Sequence, residues 1–413
     1  MRPARYLILA AALWSVNAFA QDSLNVRMLA QYNPWGSSYH STVVDTLLYV
    51  AAGNPGLRIV DVSDPSAPQY IGYYDTPGFA SSVTVADNLA YVTDNAGGLK
   101  IIDVSNPTTP SLVGFIDTPG TASAVAVAGN YAYVADRHMG VRVIDVSNPA
   151  APTEAGYYVT PHYAQGVDVV DNYCYIAEFA EGLRILDISN PAAPSPVGQY
   201  NTPGNANWVR VVGNHAYVAD GTSGLRIVNI NNPESPNLTS FIETPGRARG
   251  VEVEGDYAYV ADSTGGLRVI EVSDAEHPSD AGYYDTQGRA NGLAVRNCIV
   301  YMADVNNLGV YECFGSQGAS DPVVILPASF VLSAYPNPFN ASTQIRFETA
   351  RPEVVTVRIY DATGRLVEEL ASRMFSAGTH QVTFDATPRA SGMYVVRLSG
   401  GDFSASQKLL LLK

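Results

Sequence analysis

LRIVDVS at Leu57–Ser63, LKIIDVS at Leu99–Ser105, VRVIDVS at Val141–Ser147, LRILDIS at Leu183–Ser189, LRIVNIN at Leu225–Asn231 and LRVIEVS at Leu267–Ser273 are one heptapeptide written six times. Each copy starts 42 residues after the one before, and a seventh, LGVYEC at Leu308–Cys313, comes one residue early. A period of this length marks a supersecondary unit that buries its apolar face only against its neighbours.

The second copy shows what the unit is. Strands are predicted at Ser82–Val85, Ala90–Thr93, Leu99–Val104 and Ser111–Ile116, with turns at Asp87-Asn88 and at Asn95 to Gly98. Asn106-Pro107 ends the third strand, because proline has no N–H for the ladder. Thr118-Pro119-Gly120 turns the chain into the next unit. Four antiparallel strands per repeat make the blade of a β-propeller. There are seven copies of strands one to three but only six of strand four after them; the missing one stands at the other end, as Val26–Tyr32. The expected fold is all-β: a seven-bladed propeller closed by an N-terminal strand, a closure that hides unpaired edges.

Composition agrees. Apolar residues make up 46% of the 413, which excludes global disorder. The net charge is −15 with no Lys/Arg cluster, whereas a duplex nucleic-acid binder needs a dense basic face, so no nucleic-acid partner is expected. Residues 1–20 read as a secretory signal peptide: Arg2 and Arg5, an apolar run from Tyr6, and Ala18-Phe19-Ala20 at the cleavage site. No later run is apolar enough to span a membrane, so the mature chain is expected outside the cytoplasm without a spanning segment.

The repeats resemble the LVIVD-repeat propellers of bacterial and archaeal extracellular proteins over about Val26–Cys313. That resemblance implies a propeller and an extracellular place, and no single activity. Residues 21–314 are therefore assigned to the propeller and 315–329, with Gly315, Gly318, Pro322 and Pro327, to a linker. Residues 330–413 contain Tyr335-Pro336-Asn337-Pro338-Phe339, the stretch IYDATGRLV from Ile359, Ser391-Gly392-Met393-Tyr394 and a C-terminal strand ending at Lys413. Alternation at Val355, Val357 and Ile359 predicts half-buried strands of a small β-sandwich. This segment resembles the C-terminal sorting domain of the type IX secretion system and, more distantly, the immunoglobulin-like domain of flagellar hook-capping proteins, which implies an immunoglobulin-like sandwich. The resemblance implies recognition by outer-membrane export machinery and a place outside, or on the outer surface of, a Gram-negative-type bacterium.

Comparing repeats separates scaffold from departures. Asp94, Asp136, Glu178, Asp220, Asp262 and Asp304 recur at the end of strand two, and Arg58, Lys100, Arg142, Arg184, Arg226 and Arg268 recur early in strand three. They are expected to face one another across the hairpin as scaffold pairs. The first strand of each blade should line the channel. One inward position reads Thr42, Thr84, Ala126, Asp168, Arg210, Glu252, Ala294, so three consecutive blades carry charge there. The loops entering these strands vary (Tyr163, Arg247, Arg289), as do the hairpins Arg137-His138-Met139 and Phe179-Ala180-Glu181, and both loop sets should share one face. His162, Tyr163, Asp168, Trp208, Arg210, Arg247, Arg249, Glu252 and Arg289 form the candidate ligand-binding set, for an extracellular protein or glycan. The competing reading is drifting loops and Asp168–Arg210–Glu252 ion pairs within the channel.

No catalytic residue, metal or cofactor is expected. The six histidines show no HExxH spacing, and neither GxSxG nor GxxxxGK occurs. The alternative is a carbohydrate-active or other hydrolytic propeller using Asp168 and Glu252. Arg210 between them is expected to keep both ionised, against an acid–base split. Cys298 and Cys313 lie nearly opposite one another in the seventh blade and are the expected disulfide; Cys174 reads as a buried apolar residue.

Overall fold

The computed structural model describes residues 23–32, 35–286, 288–305, 307–313, 333–335, 339–349, 353–361, 365–375, 378–389, 391–400 and 403–412. The proposed signal peptide and the 315–329 linker lie outside the described residues. The chain divides into two compact units, Met1–Gly318 and Ala319–Lys413.

In the first unit the described residues form strands and turns, with no helix. The second repeat folds as Ser82–Ala86, Leu89–Thr93, Leu99–Asp103 and Ser111–Ile116, paired antiparallel in chain order. The same sheet is built from each of the first six repeats. Ala290–Arg296, Ile299–Asp304 and Asn307–Cys313 make three strands of a seventh, and Val26–Tyr32 supplies its fourth. Just before that, Ser23 and Leu24 pair with Tyr284 and Tyr283 on the outer edge of the sixth sheet. Asn25, at φ +52°, turns the chain from one edge to the next.

The apolar core lies between neighbouring sheets. Leu57 and Ile59 of the first sheet pack with Val83, Val92 and Ile102 of the second. Leu48, Val50 and Val60 of the first pack with Tyr301, Leu308 and Val310 of the seventh. Strands two and three therefore bury apolar residues on both faces, the third with one Arg or Lys among them in the first six sheets, while the fourth exposes Leu112 and Phe115.

The recurring charges do more than face one another. Asp136 is fully buried; its Oδ1 accepts the Thr118 hydroxyl at 2.7 Å and its Oδ2 the Gly120 N–H at 2.9 Å. Arg142 Nε stands 3.6 Å from that carboxylate. The cross-strand pair exists, but the closer bonds hold the Thr-Pro-Gly turn that leads into the same sheet. Asp220 and Asp262 repeat the arrangement. On its other side Arg142 lies under Tyr157, 4.7 Å from the ring centre, and Arg58, Lys100, Arg226 and Arg268 are covered in the same way by Tyr73, Phe115, Phe241 and Tyr283. The aspartates of the heptapeptide serve turns: Asp61, Asp103, Asp145 and Asp187 accept the N–H of the serine two residues on.

The second unit has a three-stranded sheet of Ser333–Tyr335, Ser342–Thr349 and Gly378–Asp385. Its four-stranded sheet runs Leu366–Phe375, Glu353–Asp361, Gly392–Gly400, Phe403–Leu411. Ile345, Phe347 and Phe384 from one sheet and Val355, Val357, Ile359, Val396 and Leu398 from the other bury a single core. Phe339 bridges to Leu411, which ties the aromatic end of the Tyr335–Phe339 stretch to the C-terminal strand.

Candidate functional site

The inner strands of the seven sheets put equivalent residues in layers. Thr42, Thr84, Ala126, Asp168, Arg210, Glu252 and Ala294 all line a central cavity of about 370 Å3. Arg210 Nε is 3.1 Å from Glu252 Oε2, and its Nη1 is 3.9 Å from Asp168 Oδ1. Asp168 also accepts the Val211 N–H at 2.8 Å and the Val169 N–H at 2.9 Å. The three charges therefore form one chain along the wall.

Their ionisation differs from the expectation. Burial pushes the Glu252 carboxyl up to about 7; Arg210 opposes the shift and Asp168 adds to it. Asp168 is also raised by burial, against Arg210 and its two backbone N–H donors. Arg210 is shared between two carboxyls, so it does not hold both fully ionised: desolvation outweighs it.

One further residue belongs here. The first layer reads His40, Ser82, Ala124, Gly166, Trp208, Gly250, Gly292. The His40 and Trp208 rings lie 4.6 Å apart, centroid to centroid, tilted by 34°. The small residues make room for them. A Cβ on Gly166 would stand 2.9 Å from Trp208 Cα, and one on Gly292 would stand 2.8 Å from the Tyr39 carbonyl oxygen and 3.2 Å from His40 Cδ2. Val83 N–H and Ser82 Oγ are 3.5 Å from His40 Nδ1, while Nε2 is buried with no hydrogen-bond partner. His40 is held down to about 4 by burial; the Val83 contact opposes this, and Arg210 adds to it. His40 lies outside the inward position of Thr42 and Asp168 that drew notice in the sequence, two residues further along each strand. The signal was present one layer up: two aromatic rings in a column of small residues.

The two loop sets do share a face. Arg137 bridges to Ala164, Phe179 to Ala206, Gly221 to Ala248 and Ser263 to Ala290, each linking a hairpin to the loop that enters the next inner strand. The His138 and Tyr163 rings are 4.0 Å apart and the Tyr163 and Phe179 rings 5.9 Å, an aromatic edge shared by three loops. His162 donates its N–H to Glu178 at 2.8 Å, and its Nε2 is 3.8 Å from Glu181 Oε1. No cluster of three potential metal ligands occurs among the described residues. Arg247, Arg249 and Arg289 are exposed, and none has an ion pair among the described residues. Arg249 is held below the usual arginine range by partial desolvation, then by the charges of Arg247 and Arg289. The candidate set thus falls into three groups: Trp208 with Asp168, Arg210 and Glu252; Tyr163 with His138 and Phe179, beside His162; and the three arginines. Cys298 is exposed and Cys313 buried; both are free thiols here, and Cys174 is buried as expected.

Comparison with known proteins follows the same division. The LVIVD repeat matches at residues 42–76, 77–118, 119–160, 161–202, 203–244 and 245–286. The secretion system C-terminal sorting domain matches at 333–412. No curated protein matches the chain. Among solved structures, a chain of the Mitotic Checkpoint Complex is similar at 11% identity and a TM-score of 0.60, over 75% of this chain and 100% of that one. The Myceliophteria thermophila Cps50 (Swd1) β-propeller domain is similar at 10% identity and 0.58, over 70% and 99%. The computationally designed Ika8 protein is similar at 9% and 0.52, over 68% and 100%. At such identities the likeness shows the fold alone, a β-propeller. With repeat matches running from residue 42 to 286, more than half its length, the chain belongs to the LVIVD-repeat family and carries a C-terminal type IX secretion sorting domain.

Proposed function

We propose that this is an exported, non-catalytic binding module. In this reading its seven sheets are the blades of a closed ring, and Val26–Tyr32 is the closing strand. Pairing of that strand with Cys313 to Leu308, and the core shared by the first and seventh sheets, support the closure. Residues 1–20 direct the chain out of the cytoplasm. The tail from 330 to 413, an immunoglobulin-like sandwich in this reading, hands it to the outer-membrane machinery of a Gram-negative-type cell. The partner is an extracellular protein or glycan that meets the loop-bearing end of the ring.

One contrast carries the binding reading. Where other repeats place small residues, His40 and Trp208 close on each other, and Arg249 stands one residue before the same column with Arg247 and Arg289 near it. Exposed arginines without counter-charges, on a chain of net charge −15, favour a partner with anionic groups. An array of neutral, carboxylated and sulfated glycans tests this. Selective capture of acidic glycans, lost when Arg247, Arg249 and Arg289 are changed together to Gln, supports the site. Capture unaffected by those changes removes it.

The hydrolytic alternative is favoured by one observation, the Glu252 carboxyl at about 7, within the range of a working general acid. Turnover of a glycoside or ester panel that disappears in Glu252→Gln would establish that alternative.

A further inference from the structure

The seventh sheet departs from the other six at two positions at once. In the earlier sheets the residue before the second strand is Thr46, Asn88, Asn130, Asn172, Asn214 or Asp256, and the residue after the third is Val62, Val104, Val146, Ile188, Ile230 or Val272. In all six the carbonyl of the first accepts the N–H of the second, at 2.7 to 2.9 Å. The seventh sheet makes the same bond at 3.0 Å, but between Cys298 and Cys313. One step further in, Ile299 pairs with Glu312, so the two cysteines stand opposite each other at the end of the hairpin. Of the two bonds such a pair can exchange, only the one from Cys313 is made, because the Cys298 N–H is donated to Glu254 Oε2 at 3.0 Å; a pair that exchanges both sets its Cα atoms about 5.5 Å apart. That is also the commonest Cα separation across a disulfide.

The position has a structural consequence. Cys313 pairs with Val26, the first residue of the N-terminal strand on this sheet. It shares a core with Val26 and with Tyr259 of the sixth sheet. The end of the hairpin is thus where a strand from the other end of the chain is attached.

We infer that Cys298 and Cys313 form a disulfide in the exported protein and fasten the seventh sheet where the N-terminal strand joins it. The inference rests on the export reading only for its oxidant, a disulfide-carrying thiol–disulfide oxidoreductase outside the cytoplasm. Exposed Cys298 reacts first: its thiolate attacks the oxidant's disulfide, forming a mixed disulfide and releasing one thiol of the oxidant. Cys313 then attacks the Cys298 sulfur, giving up its proton and displacing the second thiol. Two protons and two electrons pass from the cysteine pair to the oxidant, which leaves as a dithiol. Burial holds the Cys313 thiol well above its ordinary range, so it is the resolving partner and not the first nucleophile.

The test needs no secretion, so failure of export and failure of the bridge are separable. The full chain, purified reduced and folded, is equilibrated with oxidised glutathione as the probe oxidant. It is then denatured, alkylated and weighed. The expected result is three alkylated thiols before oxidation and one after it, on Cys174, with a peptide joining Cys298 to Cys313. A Cys174→Ser variant goes from two to none. Three thiols surviving oxidation, a stable glutathione adduct on Cys298, or a bridge to Cys174 would each overturn the inference.

Discussion

His40 and Trp208 come from the inner strands of the first and fifth sheets, yet their rings meet 4.6 Å apart. The other five repeats carry Ser, Ala or Gly at that level, so the contact is specific to this pair. Offset or tilted ring pairs add to simple burial. Trp208→Ala should therefore cost about 2–3 kcal/mol, somewhat below the figure for a fully buried tryptophan. His40→Phe should cost less than about 1 kcal/mol, or stabilise, because it removes a buried nitrogen with no partner. Urea unfolding of the two variants checks both; a large loss in His40→Phe would mean that Nε2 is satisfied in solution.

The same region sets two opposing pH slopes. His40 is held at about 4, below its ordinary 6.5, so the unfolded chain binds the extra proton between those values and acidification through that window destabilises the fold. Glu252 is held at about 7, above its ordinary 4.5. There the folded chain keeps a proton that the unfolded chain gives up, so stability falls as pH rises through 4.5 to 7. Each effect is roughly 3 kcal/mol, and they oppose each other where the windows overlap. Glu252→Gln should leave a profile that climbs relative to wild type between pH 4.5 and 7, and His40→Phe one that declines relative to it between pH 4 and 6.5. Unfolding free energies measured from pH 4 to 8 check this; profiles parallel to wild type would refute the assigned ionisations.

Two aspartates recur in the repeat with equal regularity and unequal burial. Asp136 is buried and holds Thr118 and Gly120, while Asp103 makes an exposed turn with Ser105. Asp136→Ala should lower stability by about 3 kcal/mol, because it leaves the Thr118 hydroxyl and the Gly120 N–H without their acceptor and Arg142 with Glu154, 3.6 Å away, as its remaining carboxylate neighbour. Asp103→Ala should barely move the denaturation midpoint. Similar losses from both would mean that the carboxylate clamp does not hold the turn.

Much of the propeller was legible because its spacing is rigid. The 42-residue period put each strand of the second repeat within a residue of its place, and the surplus strand Val26–Tyr32 pointed to the seventh sheet. The charged layer was legible for the same reason: Asp168, Arg210 and Glu252 interrupt a column of small residues. What stayed hidden depended on three-dimensional surroundings. The Thr118 and Gly120 contacts of Asp136 lie across a turn, and the hairpin pairing with Arg142 gave no sign of them. The ionisation of Glu252 depends on desolvation, which no count of neighbouring charges reports. His40 needed a comparison with Trp208, a residue four repeats away, and nothing local to it marked it out.

Removal of residues 23–32 should leave the outer edges of the sixth and seventh sheets unpaired, since Ser23, Leu24 and Val26–Tyr32 cover them. The truncated chain is expected to unfold at lower temperature and to self-associate through those edges. Size-exclusion chromatography beside a thermal melt checks this; a monomer with an unchanged melt would contradict the closing role.

The sorting domain at 333–412 is expected to take the propeller out of the cell. Fractionation of a host with type IX export machinery, carrying the chain with and without residues 330–413, checks this. The full chain is expected at the surface or in the medium, and the truncated chain in the periplasm. Both forms in the same fraction would contradict it and leave the tail as an ordinary β-domain.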